Sequence, residues 1–203
     1  EFWELFENEG AKYFNDPADA RNRYITVILD RSERNLRRYF AKVLKENLDG
    51  FAEVKALKLL EIQRQAMLMF TSCGWVFSEI SGIEAVQIMK YAARAIQLAQ
   101  DFGLTELEEN FLKILEKAES NIPKMGNGRN VYEKFVRPSV VNVKQIASLW
   151  AYVSLFNDFE YESSLYCYKI KKLNYQKTLL KNLNSLIEKY YYVILIYYFL
   201  VLL

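Results

Sequence analysis

At 203 residues the chain is long enough for one domain with a substantial core, or for one domain and an appendage. A hydrophobic share of 52%, a charged share of 26%, and only seven Gly and three Pro favour long helices and exclude a turn-rich sandwich or barrel. The net charge of +2 supplies no footprint for nucleic acid, so no nucleic-acid partner is expected.

The chain contains no histidine. His general bases, Ser-His and Cys-His pairs and His-ligated zinc are therefore absent from it. Its two cysteines, Cys73 and Cys167, are too far apart in sequence to read as a disulfide framework or a metal knuckle. "GNGRN" at 126–130 lacks the spacing of a phosphate loop. No cofactor and no metal are expected. No secretory signal opens the chain, which makes the cytoplasm the expected location. The start at Glu1, inside a helical pattern, suits a fragment or a processed piece.

In chain order, residues 1–14 read as a helix with Phe2, Phe6 and Tyr13 among charges. Asp16-Pro17 is an N-cap followed by proline at the first helical position, and that helix is expected to reach about Leu29. Ser32 opens another, with Leu36, Tyr39, Phe40, Val43 and Leu44 on an apolar stripe. Beside it, Asp30-Arg31 reads as a candidate ion pair at a helix junction. Arg34, Arg37 and Arg38 read as a solvated face with Glu33 in reach, or as an anion site. Gly50 punctuates before a helix over about 51–70, and Gly74 ends that run.

Ser81 to Glu84 and Thr105 to Glu108 are capping boxes that predict two further helices, separated by a C-cap at Gly103. "NIPKMGNGRN" at 121–130 is the clearest loop. A short helix over Val131–Val136 should stop before Pro138, and residues 142–157 read as helical. The Tyr-rich run at 163–175 reads as a strand. From about Thr178 the chain loses Gly, Pro, Ala, Asp and Arg and ends in "YYYVILIYYFLVLL". That apolar run is shorter than a bilayer span of roughly 20 residues. It reads as a membrane contact over 190–203, a partner-binding segment, the last piece of the fold, or the product of a reading-frame slip.

The expected fold is mainly α: a multi-helix bundle with a small β element near the C-terminus. Its parts are a helical bundle at 1–158, a β-containing extension at 159–177 and an atypical apolar tail at 178–203.

The candidate site is "TSCGWVFSEISG", 71–82. Trp75 offers a flat face, and Ser72, Ser78 and Glu79 offer hydrogen bonds, a combination common in binding sites. The alternative is that Trp75 and Phe77 plug the core while Gly74 makes the turn, and pattern alone favours this. Cys73 reads as a small buried thiol, because no basic partner lies near it in sequence. Glu106, Glu108 and Glu109 fit the first turn of a helix, where the dipole favours acids.

Three stretches carry a family resemblance: "ALKLLEIQRQAMLMFTSCGWVFSEISGIEAVQIMKYAARAIQLAQ" (56–100), "ARNRYITVILDRS" (20–32) and "ASLWAYVSLFNDFEYESSLYCYKIKKLNY" (147–175). Together they resemble the C-terminal helical region of a bacterial subgroup of glycoside hydrolase family 57, over about residues 1–175. The resemblance implies a carbohydrate-metabolism role on α-glucans, by retaining chemistry with two carboxylates about 5–5.5 Å apart on an N-terminal (β/α)₇ barrel. That barrel is missing here, so no catalytic residue is assigned and the chain is expected to be inactive alone. The implied partners are that barrel and an α-glucan or oligosaccharide. The implied substrate-binding residues are Trp75, Glu79, Ser72, Cys73 and Gly74. Val76 and Ser78 depart from the family's motif, which has an aromatic and an Asp there. The rival reading is a stand-alone helical module that binds a protein partner or a membrane.

Overall fold

The computed structural model describes residues 1–154, 156–157, 162–165, 168–171 and 197–198. The side chains of Trp75 and of the strand residues other than Ile170 lie outside this description. Two compact units result, Glu1–Val140 and Val141–Leu203.

In the first unit, Asp16 caps as its sequence predicts. Its carboxylate accepts from the N–H groups of Ala18 (2.9 Å) and Asp19 (3.1 Å), with Pro17 opening the helix. Such a cap contributes about 1 kcal/mol. The single helix expected to reach Leu29 is two, α2 (Pro17–Arg23) and α3 (Ile25–Leu29), following α1 (Phe2–Tyr13). Ser32 caps α4 (Glu33–Val43) by accepting from Asn35 N–H. Asp49 caps α5 (Gly50–Leu68) through Ala52 N–H at 2.8 Å.

Helix α5 is the axis of this unit. It packs on α1 and on α7 (Ile83–Gln100), and every residue from Ala56 to Gln63 is buried. Among them are Lys58, Glu61 and Gln63, so each buried polar group requires a partner. Gln63 donates to the Phe2 carbonyl (2.8 Å), Lys58 pairs with Asp101 (2.5 Å), and Glu61 gathers Tyr24, Arg31 and Arg64. The expected Asp30-Arg31 pair is thereby replaced: Arg31 faces Glu61, and Asp30 accepts from Ser32 N–H instead.

The two capping boxes form differently. Helix α7 is capped at Gly82, while the Ser81 hydroxyl donates to Glu79, and α8 (Leu107–Leu115) is capped at Glu106. Gly103 makes the turn between them at φ +89°, a conformation natural to glycine. The expected loop at 121–130 contains a 3₁₀ turn, Pro123–Met125, and the start of α9 (Gly128–Val131). A π-helical turn (Tyr132–Val136) and a 3₁₀ turn (Arg137–Ser139) follow, so helical backbone passes through Pro138 rather than stopping before it.

The expected fold class needs correction. Among the described residues of Glu1–Val140 there is no strand, only the isolated bridges Phe14–Leu44 and Glu119–Asn127, so the helical fold carries no β element of its own. The strand expected over 163–175 does not run through. In the second unit, after α10 (Val143–Ser154), the short runs β1 (Glu162–Leu165), β2 (Tyr168–Lys171) and β3 (Tyr197–Tyr198) pair antiparallel in that order. Leu165 pairs with Tyr168, so the chain reverses where the loose alternation of the sequence suggested continuation. The rest of the tail lies outside the described residues. Among them, no helix is long and apolar enough to cross a membrane.

Candidate functional site

The stretch expected to be a loop carrying aromatics is a helical turn. Cys73–Val76 form α6, with Phe77 as its extended C-cap. Gly74 permits this turn to sit against α7. A Cβ built there would overlap the end of the Ile88 side chain and lie 3.0 Å from its Cγ1. The close approach, not an end to the preceding helix, is what the glycine serves.

An apolar groove of about 420 Å³ opens between this turn and the two helices that follow. Met69, Phe70, Gly74, Phe77 and Ile80 line one side, and Ala85, Ile88, Met89, Ala92, Phe111 and Leu115 the rest. Its floor is firm. Met89, Leu112, Val131, Tyr132 and Val136 form a buried cluster against which Ile80, Phe111 and Leu115 pack. Phe111 meets Tyr132 edge-on, with ring centroids 6.1 Å apart. The Tyr132 hydroxyl donates to Glu108 at 3.0 Å, and burial with that neighbouring carboxylate pushes the phenol well above its ordinary range. Phe70, Val76, Phe77 and Ile83 are each more than half exposed around this region.

Ser78 and Glu79 are the polar residues of the lining, and Glu79 is already engaged. Its Oε1 accepts from the Ser120 hydroxyl (2.6 Å) and from the Ser81 hydroxyl (2.6 Å) and N–H (2.8 Å). Its Oε2 accepts from Asn121 N–H (2.8 Å). Those donors, Ser120 first, hold the carboxyl at a pKa of about 2. Glu79 is thus an ionised tether between the α6–α7 connection and the 120–122 segment. Proton transfer near neutral pH does not suit a carboxylate held ionised by four internal donors.

Of the five expected site residues, the structure brings Gly74 and Glu79 to the groove. Ser72 is exposed outside its lining and gives α6 no side-chain cap. Cys73, expected to be buried, is an exposed free thiol. The Trp75 side chain lies outside the described residues. The sequence alone does not single out Ser120, Asn121, Ile88 or Phe111. Phe111 and Leu115 stand at i,i+4 and signal one helix face. Nothing local marks Ser120 or Asn121, whose contacts reach back some forty residues to Glu79 (|i−j| of 41 and 42). Among the described residues no group of three or more His, Cys, Asp or Glu is placed to hold a metal ion.

One family model matches the chain, over residues 1–191: Domain of unknown function (DUF3536). The match extends past the start of the atypical tail at 178. No curated protein and no solved structure matches the chain. The labels taken from the resemblance, glycoside hydrolase family 57 and carbohydrate metabolism, are withdrawn. The matched family carries no activity in its description, and Glu79, one of the two polar residues of the lining, is bonded within its own chain. The description as a helical bundle agrees with the Glu1–Val140 unit.

Proposed function

The chain belongs to the DUF3536 family, and from that premise we propose that it is a helical interaction module whose groove receives an apolar segment of another polypeptide. The observation that carries this reading is the groove itself. It is open, bedded on a packed cluster and walled by Met, Phe, Ile and Leu, with Phe70 and Phe77 of the lining more than half exposed. Contiguous exposed apolar surface of this kind marks interaction sites. Methionines such as Met69 and Met89 adapt to varied apolar partners, and an amphipathic helix presents side chains at i, i+3, i+4 and i+7 to such a groove.

A pyranose would need partners for its hydroxyls, and Glu79 is committed to its own chain. A module of this kind works in the cytoplasm in our reading, where fractionation of the native host would find it. The test is a fluorescence titration with an amphipathic helical peptide, a maltooligosaccharide and phosphatidylcholine vesicles. The peptide is expected to bind and Phe77→Asp to weaken it by about tenfold or more, as for loss of one buried aromatic anchor. Saturable binding of the sugar or of the vesicles, with the peptide inert, would overturn the reading.

A further inference from the structure

We propose that Arg31 and Arg64 form a binding site for a phosphate group, held in place by the buried carboxylate of Glu61. The site is separate from the groove and does not depend on it. The Glu61 side chain is 1% exposed in the middle of α5. Its Oε1 accepts from the Tyr24 hydroxyl at 2.5 Å, and its Oε2 accepts from Arg64 Nη1 at 3.2 Å. Arg31 Nη2 lies 3.6 Å from Oε1, beyond hydrogen-bond reach.

One buried carboxylate therefore faces two guanidinium groups, which leaves one positive charge in excess. The guanidiniums come from different elements, Arg31 from the α3–α4 connection and Arg64 from α5. Their side chains are 21% and 27% exposed. A purely structural Arg–Glu–Arg triad buries its charges against one another. Here neither arginine side chain is fully buried, and Arg31 stands 3.6 Å from the carboxylate.

Two acids lie near in sequence, each with a partner outside the triad. Asp30 accepts from Ser32 N–H at 2.9 Å, and Glu33 pairs with Arg37 at 4.0 Å. Exposed Arg34 and Arg38 on the first turns of α4 add positive potential; the Ser32 hydrogen bonds, and after them the Arg38 charge, lower the Asp30 carboxyl. Arg64, bonded to the buried carboxylate, and Arg31, ion-paired with it, lose less freedom than unpaired side chains when an anion docks. A phosphate dianion, with its several acceptor oxygens, satisfies both forks and offsets the excess charge.

The full chain titrated calorimetrically with inorganic phosphate, against sodium chloride of equal ionic strength, tests this. Saturable binding is expected with phosphate alone. Arg31→Gln is expected to weaken it about tenfold, the loss of roughly one charge-assisted hydrogen bond. Arg31→Lys, which keeps the charge and removes the fork, is expected to weaken it too. Phosphate indistinguishable from chloride, or binding unchanged in a folded Arg31 variant, would overturn the proposal. If Arg31→Gln fails to fold, the wild type and Arg31→Lys decide between these results. Vesicles containing phosphatidic acid separate the sources: co-sedimentation of the chain assigns the phosphate to a lipid headgroup, and a chain left in the supernatant while inorganic phosphate binds assigns it to a soluble molecule.

Discussion

Glu79 joins two stretches of chain through four hydrogen bonds, and its ionisation is part of that joint. The ordinary carboxyl value of 4.5 falls to about 2 in the fold, so the folded state binds the proton less tightly than the unfolded one. Its contribution is therefore full above about pH 5 and is lost as the pH falls through the window from 4.5 to about 2. Thermal unfolding of wild type and Glu79→Gln across that window is expected to show a gap that narrows towards pH 2. A gap independent of pH would show that the charge is not what holds the joint.

Gly74 offers a second test at this scale. Gly74→Ala places a methyl group on Ile88, and an overpacked contact of this type costs about 1–3 kcal/mol. Ile88→Val removes the overlapping Cδ1, so Gly74→Ala is expected to cost less when the two substitutions are combined. A double-mutant cycle by urea denaturation measures that coupling. The sequence marked Gly74 and Glu79 as special. Their partners were hidden, because Ser120, Asn121 and Ile88 reach them only through the fold.

At the scale of elements, α5 departs most from its sequence pattern. A run such as "ALKLLEIQ" has polar residues that a surface helix would turn to water. A helix buried all round must pair them instead, and no periodicity reveals which residues do so. Glu61→Gln is expected to destabilise the fold by about 3 kcal/mol, the lower end for breaking a buried charge pair, because Arg31 and Arg64 retain access to water. Chemical denaturation with unchanged slope would measure it. Caps were legible where a motif acts alone, as at Asp16 and Ser32. Ser81 is not the cap because α7 begins one residue later than expected, with Gly82 as its cap, and the Ser81 hydroxyl instead donates to the Glu79 carboxylate. The 163–175 run failed as one strand because alternation specifies faces, not where a ladder reverses.

At the scale of the molecule, composition foretold a helical body, and the Glu1–Val140 unit is one. The apolar groove was not legible. It arises where α6, α7 and α8 meet, and its walls come from three separate stretches of sequence. An apolar residue facing a groove has the same spacing as one facing a core, so only packing distinguishes them. The most direct measurement is amide hydrogen exchange of the chain with and without a saturating amphipathic helical peptide. Residues 69–89 and 111–115 are predicted to gain protection while the first four helices do not change. Protection absent from those segments, or produced there by a maltooligosaccharide and not by the peptide, would contradict a polypeptide-docking groove.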